Sequence, residues 1–412
     1  MAGYTHFENL GEVRERPLLS TAFVPGAFDL WFPFIELEKP CSIGNALRRF
    51  VQGCMTEEDQ AVFYTFFHEY LHLIQSALYF VCQLPIMFTH NTIYDIRVTS
   101  ISRKAKGETR LLPICYSQET KDIYSIFNEE YSAIGDYREP FSVVNILEGS
   151  ARLLEEKFRG HEVESGHWRY SAIREVNNLI LSDRRLSDRA LLDLCDVSLR
   201  RKNPPKTFIG LLMAIKRLGM TCNEDTYINF TQLADKIGFD ALPSLANLVV
   251  ENSLRIFNSP LYAQYCRQVE SLYSQLPAIF GDGRALSLIY DELSNDRGKG
   301  LPVCLLKWIY KCGSPVIISS DGRMEVLDVN IGTASPLDQN ILGIKSVVES
   351  IIKQDSKGCM MRGACDAANS VGGCLPVDDD CSLRPWMKQP VKGMVCPFGA
   401  IWKAFGLEGL TP

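Results

Sequence analysis

Glu57-Glu-Asp-Gln-Ala-Val-Phe-Tyr-Thr-Phe-Phe-His68-Glu69-Tyr-Leu-His72-Leu-Ile-Gln-Ser-Ala-Leu78 is the stretch on which the fold turns. Its spacing predicts a helix from about Glu57 to Leu84. Thr56 and Asp59 stand in capping-box positions, and Glu57, Glu58 and Asp59 set negative charge at the positive end of the helix dipole. Pro85 is expected to stop the helix. Val62, Phe63, Phe66, Phe67, Leu71, Ile74, Leu78 and Val81 cover nearly every face, which marks a central helix rather than a surface one.

Ala61 to Cys82 also approaches the roughly 20 apolar residues that a membrane span needs. His68, Glu69, His72 and Gln75 interrupt it, and ionisable groups are costly in lipid. Intramembrane metalloproteases do bury such a motif, but they need companion spans. No other stretch here exceeds about 18 apolar residues. The reading is a buried core helix of a soluble protein, with no membrane partner.

Within that helix lies His68-Glu69-Tyr-Leu-His72, the pattern His-Glu-x-x-His. Residues i and i+4 share a helix face, so both imidazoles can turn toward one ion. Glu69 projects beside them as the general base, taking a proton from a metal-activated water and delivering it to the leaving group. The chain holds only six histidines. The bland alternative, two capped histidines and a buried glutamate, would put three ionisable groups in an apolar helix without compensation.

A catalytic zinc site takes three protein ligands and keeps one open position. Downstream, Glu148-Gly-Ser-Ala151 lies in an apolar helical stretch, with Glu155 seven positions on. Together with His68-Glu-Tyr-Leu-His72 it resembles the gluzincin metallopeptidases, in which a glutamate on a second helix completes the zinc set. The resemblance covers about thirty residues in two blocks. It implies Zn²⁺ held by His68, His72 and Glu148, with Glu155 orienting a ligand imidazole. It also implies an electrophilic side chain for the oxyanion and an edge strand that pairs with substrate. Tyr170, Tyr262 and Tyr265 stand open for the first role. Ala22–Glu36, or a hairpin over Thr92–Tyr116, stands open for the second. His161 and His167 occupy a polar, glycine-containing stretch and read as solvated loop residues; His6 and His90 are assigned no role.

The remaining chain is read as follows. Net charge is −6. Arg184-Arg185 and Arg200-Arg201-Lys202 are short basic runs without interleaved aromatics, expected at solvated helix ends, so nucleic acid is not the expected partner. The first residues lack a basic segment followed by an apolar one, which makes the cytoplasm the expected compartment. The fourteen cysteines are then expected as thiols or metal ligands. Cys41, Cys54, Cys82, Cys115, Cys195, Cys222, Cys266, Cys304 and Cys312 read as core residues. Cys359, Cys365, Cys374, Cys381 and Cys396 crowd a segment rich in Gly and Pro, with no Cys-x-x-Cys pair. Three readings stay open for them: a second, structural metal; separate thiols; or a thiolate that blocks the open zinc position.

Helices are expected over Val143–Phe158, Ala172–Leu181, Asp188–Leu199, Lys206–Leu218 and Asn340–Lys353. A further hairpin is expected over Ser314–Asn330 and short edge strands within 1–45. The fold class is α+β and predominantly helical. Residues 1–160 form a zincin-like catalytic core, 161–354 a mainly helical region, and 355–412 a Cys-rich C-terminal segment. The function expected is zinc-dependent peptide-bond hydrolysis by a specific, regulated endopeptidase in a regulatory, defence or effector role. It would act on a protein or peptide substrate, with a regulatory protein partner. The competing class is a non-proteolytic interaction scaffold stabilised by metal.

Overall fold

A computed structural model of the chain describes residues 26–29, 34–38, 42–118, 120–122, 140–162, 168–182, 185–220, 226–241, 279–280, 284–295, 305, 308–309, 315–319, 324–326, 336–352, 359, 361–370, 377–388 and 396–412. Most of them are helical, with one small sheet.

Strands β1 (Gly26–Asp29) and β2 (Phe34–Leu37) form an antiparallel pair, as expected of short edge strands. Helix α1 (Ile43–Val51) leads into the central helix α2 (Glu57–Leu78). The capping box is present: Thr56 Oγ1 accepts the Asp59 N–H at 3.1 Å, and Asp59 Oδ2 accepts the Thr56 N–H at 3.0 Å. Arg49 on α1 grips the same carboxylate, its Nε 2.7 Å from Oδ2. The cap therefore also fixes the angle between two helices.

The central helix ends earlier than the sequence suggests. Tyr79 is extended (φ −113°, ψ 126°), and a new helix, α3 (Phe80–Ala105), leaves at 79°. Pro85 falls inside α3, near its start, instead of terminating α2. The corner is held by side chains. Gln83 Nε2 caps the freed Ala77 carbonyl at 3.0 Å, and the Tyr79 hydroxyl donates to Asp196. Among the described residues no single helix is long and apolar enough to cross a membrane; the bent pair meets the length and composition only when its two parts are joined.

The expected hairpin over Thr92–Tyr116 is also overturned, because α3 runs through Thr92–Ile101. Thr, Ile and Val there read as a strand, but burial follows the helical turn. Ile93, Ile96, Asp95 and Thr99 are buried, while Val98 and Ile101 are exposed. The buried polar groups hold the returning chain: Asp95 accepts from Ser117 and Thr120, and Thr99 from the Cys115 N–H. Tertiary demand has overridden local β preference.

Helix α4 (Val143–Arg159) packs on α2 through Phe158, whose ring stacks on Phe67 at 4.1 Å. It closes on Gly160, in the left-handed region at φ 76°. Helices α5 (Trp168–Leu181), α6 (Asp188–Leu199), α7 (Pro204–Leu218), α8 (Thr226–Ile237) and α9 (Ala285–Asn295) build outward from α4. The basic run at 200–202 is solvated only in part: Lys202 is exposed, but Arg201 is buried, bonding Asp235 at 3.0 Å and the Phe239 carbonyl at 2.8 Å.

Strands β3 (Val316–Ser319) and β4 (Met324–Val326) are the expected second hairpin, although its turn lies outside the described residues. β3 runs parallel to β2, Ile317 opposite Ile35, giving the order β1-β2-β3-β4. Helix α10 (Pro336–Ile352) donates the buried Lys345 to Glu36 on β2 at 2.8 Å. The C-terminal segment has more helix than its composition suggests: α11 (Arg362–Ser370), α12 (Asp380–Leu383) and α13 (Pro397–Ala404). Thr411 then pairs its backbone with Thr109 and Leu111, both at 2.8 Å. One apolar cluster runs from Phe34 to Leu410.

Candidate active site

His68, Glu69 and His72 sit on one buried face of α2, opposite Glu148 and Glu155 on α4. His68 Nε2 lies 3.1 Å from Glu148 Oε2, His72 Nε2 lies 3.2 Å from the same oxygen, and the two Nε2 atoms are 3.2 Å apart. The three donors thus form a nearly equilateral triangle. Tetrahedral zinc with bonds of about 2.0–2.1 Å requires ligand–ligand edges of about 3.3 Å. Among the described residues this is the one set of His, Cys, Asp and Glu donors gathered within 4.8 Å.

The hydrogen bonds assign the imidazole tautomers. His68 Nδ1 is 3.1 Å from Glu155 Oε2, and a carboxylate only accepts, so Nδ1–H donates. His72 Nδ1 is 2.7 Å from Gln75 Oε1. The Gln75 amide nitrogen donates to Ser150 Oγ at 2.9 Å and the Leu147 carbonyl at 3.2 Å, so its oxygen faces His72. Both rings therefore donate from Nδ1, which leaves both Nε2 atoms to face the Glu148 oxygen. A cation bound among these three atoms would replace the proton that His68 otherwise shares with Glu148.

Electrostatics agree. Burial alone would lower the pKa of His68, but its bonds to Glu148 and Glu155 outweigh that and raise it to about 10. Burial opposes ionisation of Glu148 and Glu155 too. The imidazoles hold Glu148 well below the usual carboxylate range, and His68 with Arg152 and Arg159 brings Glu155 to about 2. A field that grips a proton on His68 equally favours a divalent cation. Arg152 Nη1 reaches Glu155 at 2.8 Å and Arg159 bonds its other oxygen, so the carboxylate that steadies His68 is itself fixed.

Glu69 is buried beside this triangle. Burial raises its pKa, against the pull of His68 and His72. Its carboxylate accepts the backbone N–H of Phe28. Phe28 is on β1, an end strand of the sheet among the described residues, so the outer edge of that strand meets the site through the N–H that Glu69 accepts. This is the Ala22–Glu36 alternative for the edge strand.

Tyr170, at the start of α5, places its ring edge-on to His68 with centroids 5.9 Å apart. The negative charge of Glu148, then burial and Glu69, push its pKa far up, so the phenol keeps its proton as a donor. Tyr262, Tyr265, His6 and His167 lie outside the described residues, His161 is exposed, and His90 is buried in α3. Gln75 is the participant that sequence reasoning missed. Its only signal is its place one turn after His72, where glutamine is an ordinary helix residue.

The described tail cysteines do not enter this site. Cys359, Cys365, Cys381 and Cys396 line a separate cavity, and Cys374 lies outside the described residues. Of the others, Cys82 and Cys195 are buried as expected, whereas Cys54 and Cys115 are exposed; the other five lie outside the described residues. Compared with protein-family models, with curated proteins and with solved structures, the chain matches none.

Proposed function

We propose that this chain is a zinc-dependent peptidase of gluzincin type, with His68, His72 and Glu148 as its metal ligands. The observation that carries the reading is the triangle of convergent ligand atoms, with a carboxylate beside it that belongs to none of its corners. Bound there, Zn²⁺ would polarise a peptide carbonyl and lower the pKa of water from about 15.7 toward 7.

The protein's own groups supply the rest. Glu69, raised in pKa by burial, takes a proton from the attacking water and hands it to the departing amine. Tyr170, kept protonated, donates to the oxygen that gains charge as the carbonyl carbon becomes tetrahedral. The edge of β1 offers backbone groups to an extended peptide, aligning its scissile bond over α2. This mode of binding favours an unfolded segment of a protein, or a free peptide, as substrate.

Full-chain protein should be assayed against a peptide library by mass spectrometry, with bound metal counted in parallel. Glu69→Gln is expected to lose cleavage and keep the metal content of the unaltered chain. Tyr170→Phe is expected to lower kcat by about 10²–10³-fold with little change in KM. Cleavage at an unchanged rate by Glu69→Gln would overturn Glu69 as the base; metal bound by an unaltered chain that cleaves nothing would leave a metal-stabilised scaffold.

A further inference from the structure

Cys359, Cys365, Cys381 and Cys396 come from four places in the C-terminal segment and line one cavity, together with Arg362 and Phe398. None of them is in a disulfide. The backbone binds the segments that carry them: the Cys359 N–H donates to the Cys381 carbonyl at 2.5 Å.

Burial raises the pKa of the Cys359, Cys365 and Cys396 thiols, and amide donors at two of the sulfurs oppose it. The Met361 N–H points at Cys359 Sγ, and the N–H groups of Phe398 and Gly399 point at Cys396 Sγ. Amide donors aimed at sulfur stabilise a thiolate far more than a thiol and fix the direction of its remaining lone pairs. Cys396 also sits at the N-cap of α13, where backbone amides are otherwise unspent. The surroundings are cationic as well. Arg362 lines the cavity, and the Lys388 ammonium, 2.6 Å from Asp378, is close enough to Cys381 and Cys396 to feel their charge. Four thiolates around a divalent ion carry a net charge of −2; Arg362 offsets part of it, while Lys388 is shared with Asp378.

We propose that Cys359, Cys365, Cys381 and Cys396 form a second metal site, a structural Zn²⁺ held by four thiolates, that staples the C-terminal segment. Four sulfurs suit zinc and leave no open position, so the site is structural and not catalytic. No three of the four sulfurs lie within 4.8 Å of one another, so binding releases the four thiol protons, changes no oxidation state and must draw the sulfurs inward around the ion. The staple serves α11 and α12, helices of 9 and 4 residues, by tying them to α13, which Phe398, Ile401 and Trp402 anchor in the core. Nothing in the proposal depends on the reading of the α2 site.

The test counts zinc in full-chain protein purified under reducing conditions, then uses Co²⁺ as a spectroscopic probe. In the unaltered chain, two zinc ions are expected. His68→Ala should leave one, and Co²⁺ in that variant should give the near-ultraviolet sulfur-to-cobalt charge-transfer band. Cys381→Ser with Cys396→Ser should abolish the band while the α2 site keeps its metal. If the serine variant does not fold, an organomercurial titration of His68→Ala with a zinc-indicator dye decides. Release of one zinc as four thiols react supports the site; thiols that react without releasing zinc overturn it. No band in the unaltered chain, or a disulfide between any two of the four, also overturns it. One zinc that is lost only in the serine variant would sink the α2 reading and leave this one standing.

Discussion

His68 and His72 are one turn apart yet are steadied by unlike partners, a buried carboxylate and a carboxamide. Glu155 adds negative charge and strengthens the basicity of its imidazole; Gln75 only orients. Gln75 also spends its amide on the Leu147 carbonyl and Ser150, in the turns around Glu148. One neutral side chain thus couples two of the three donors. Gln75→Leu is expected to weaken metal binding by about 10–100-fold, read by competition with a chelator of known affinity. A change under twofold would mean that His72 is held by packing alone. The residues that sequence could find here are those whose spacing is itself the chemistry. His68, Glu69 and His72 follow from the helical repeat, whereas Glu148 and Glu155 came only from the resemblance of a second block to the gluzincins. Gln75 and Tyr170 carry no such mark, since they matter only through where α4 and α5 lie.

Among the elements, α4 bears most of the positional load, touching α2 on one side and α5 on the other. Gly149 makes the second contact possible, for a Cβ there would lie 2.8 Å from Ile173 Cγ1. Gly149→Ala is expected to cost about 1–3 kcal/mol in unfolding free energy. It should also push α5, and Tyr170 with it, away from His68, so catalytic activity should fall further than metal content. Full activity at lowered stability would show that α5 tolerates the shift. At this scale the helices from Val143 to Leu218 were legible in sequence, with clear caps and periodicity. The α2–α3 corner was not. Pro85 looked like the break, but the break is made by Tyr79, through a partner on α6 that no local pattern reveals. The strand reading of Thr92–Ile101 failed for the related reason that its polar residues are spent on tertiary bonds.

Across the whole molecule, Asp196 is a meeting point. It accepts the Tyr79 hydroxyl at the α2–α3 corner and the Leu286 N–H at the start of α9, at 3.1 Å. Burial raises its pKa to about 7, against the opposing pull of Tyr79 and Arg200 and with the help of Asp193. The folded protein therefore holds this proton more tightly than the unfolded chain, whose aspartates titrate near 4. Its contribution is complete below about pH 4 and is lost as pH rises through about 7. Asp196→Asn keeps an acceptor for Tyr79 and cannot titrate. Between pH 5 and pH 8 the unaltered chain is expected to lose on the order of 2 kcal/mol relative to this variant in urea unfolding. Parallel pH profiles would place the proton elsewhere.

The parallel pairing of β2 with β3 has a consequence in time. The strand roofing the cleft belongs to a sheet completed by a segment translated long afterwards, and Glu325 on β4 reaches back to the Gly44 N–H at 3.2 Å. A nascent chain still on the ribosome carries the three proposed ligands and the proposed base before β2 has β3 beside it. The protease proposed above, assembled in this order, would stay harmless to its own synthesis machinery until β3 is made.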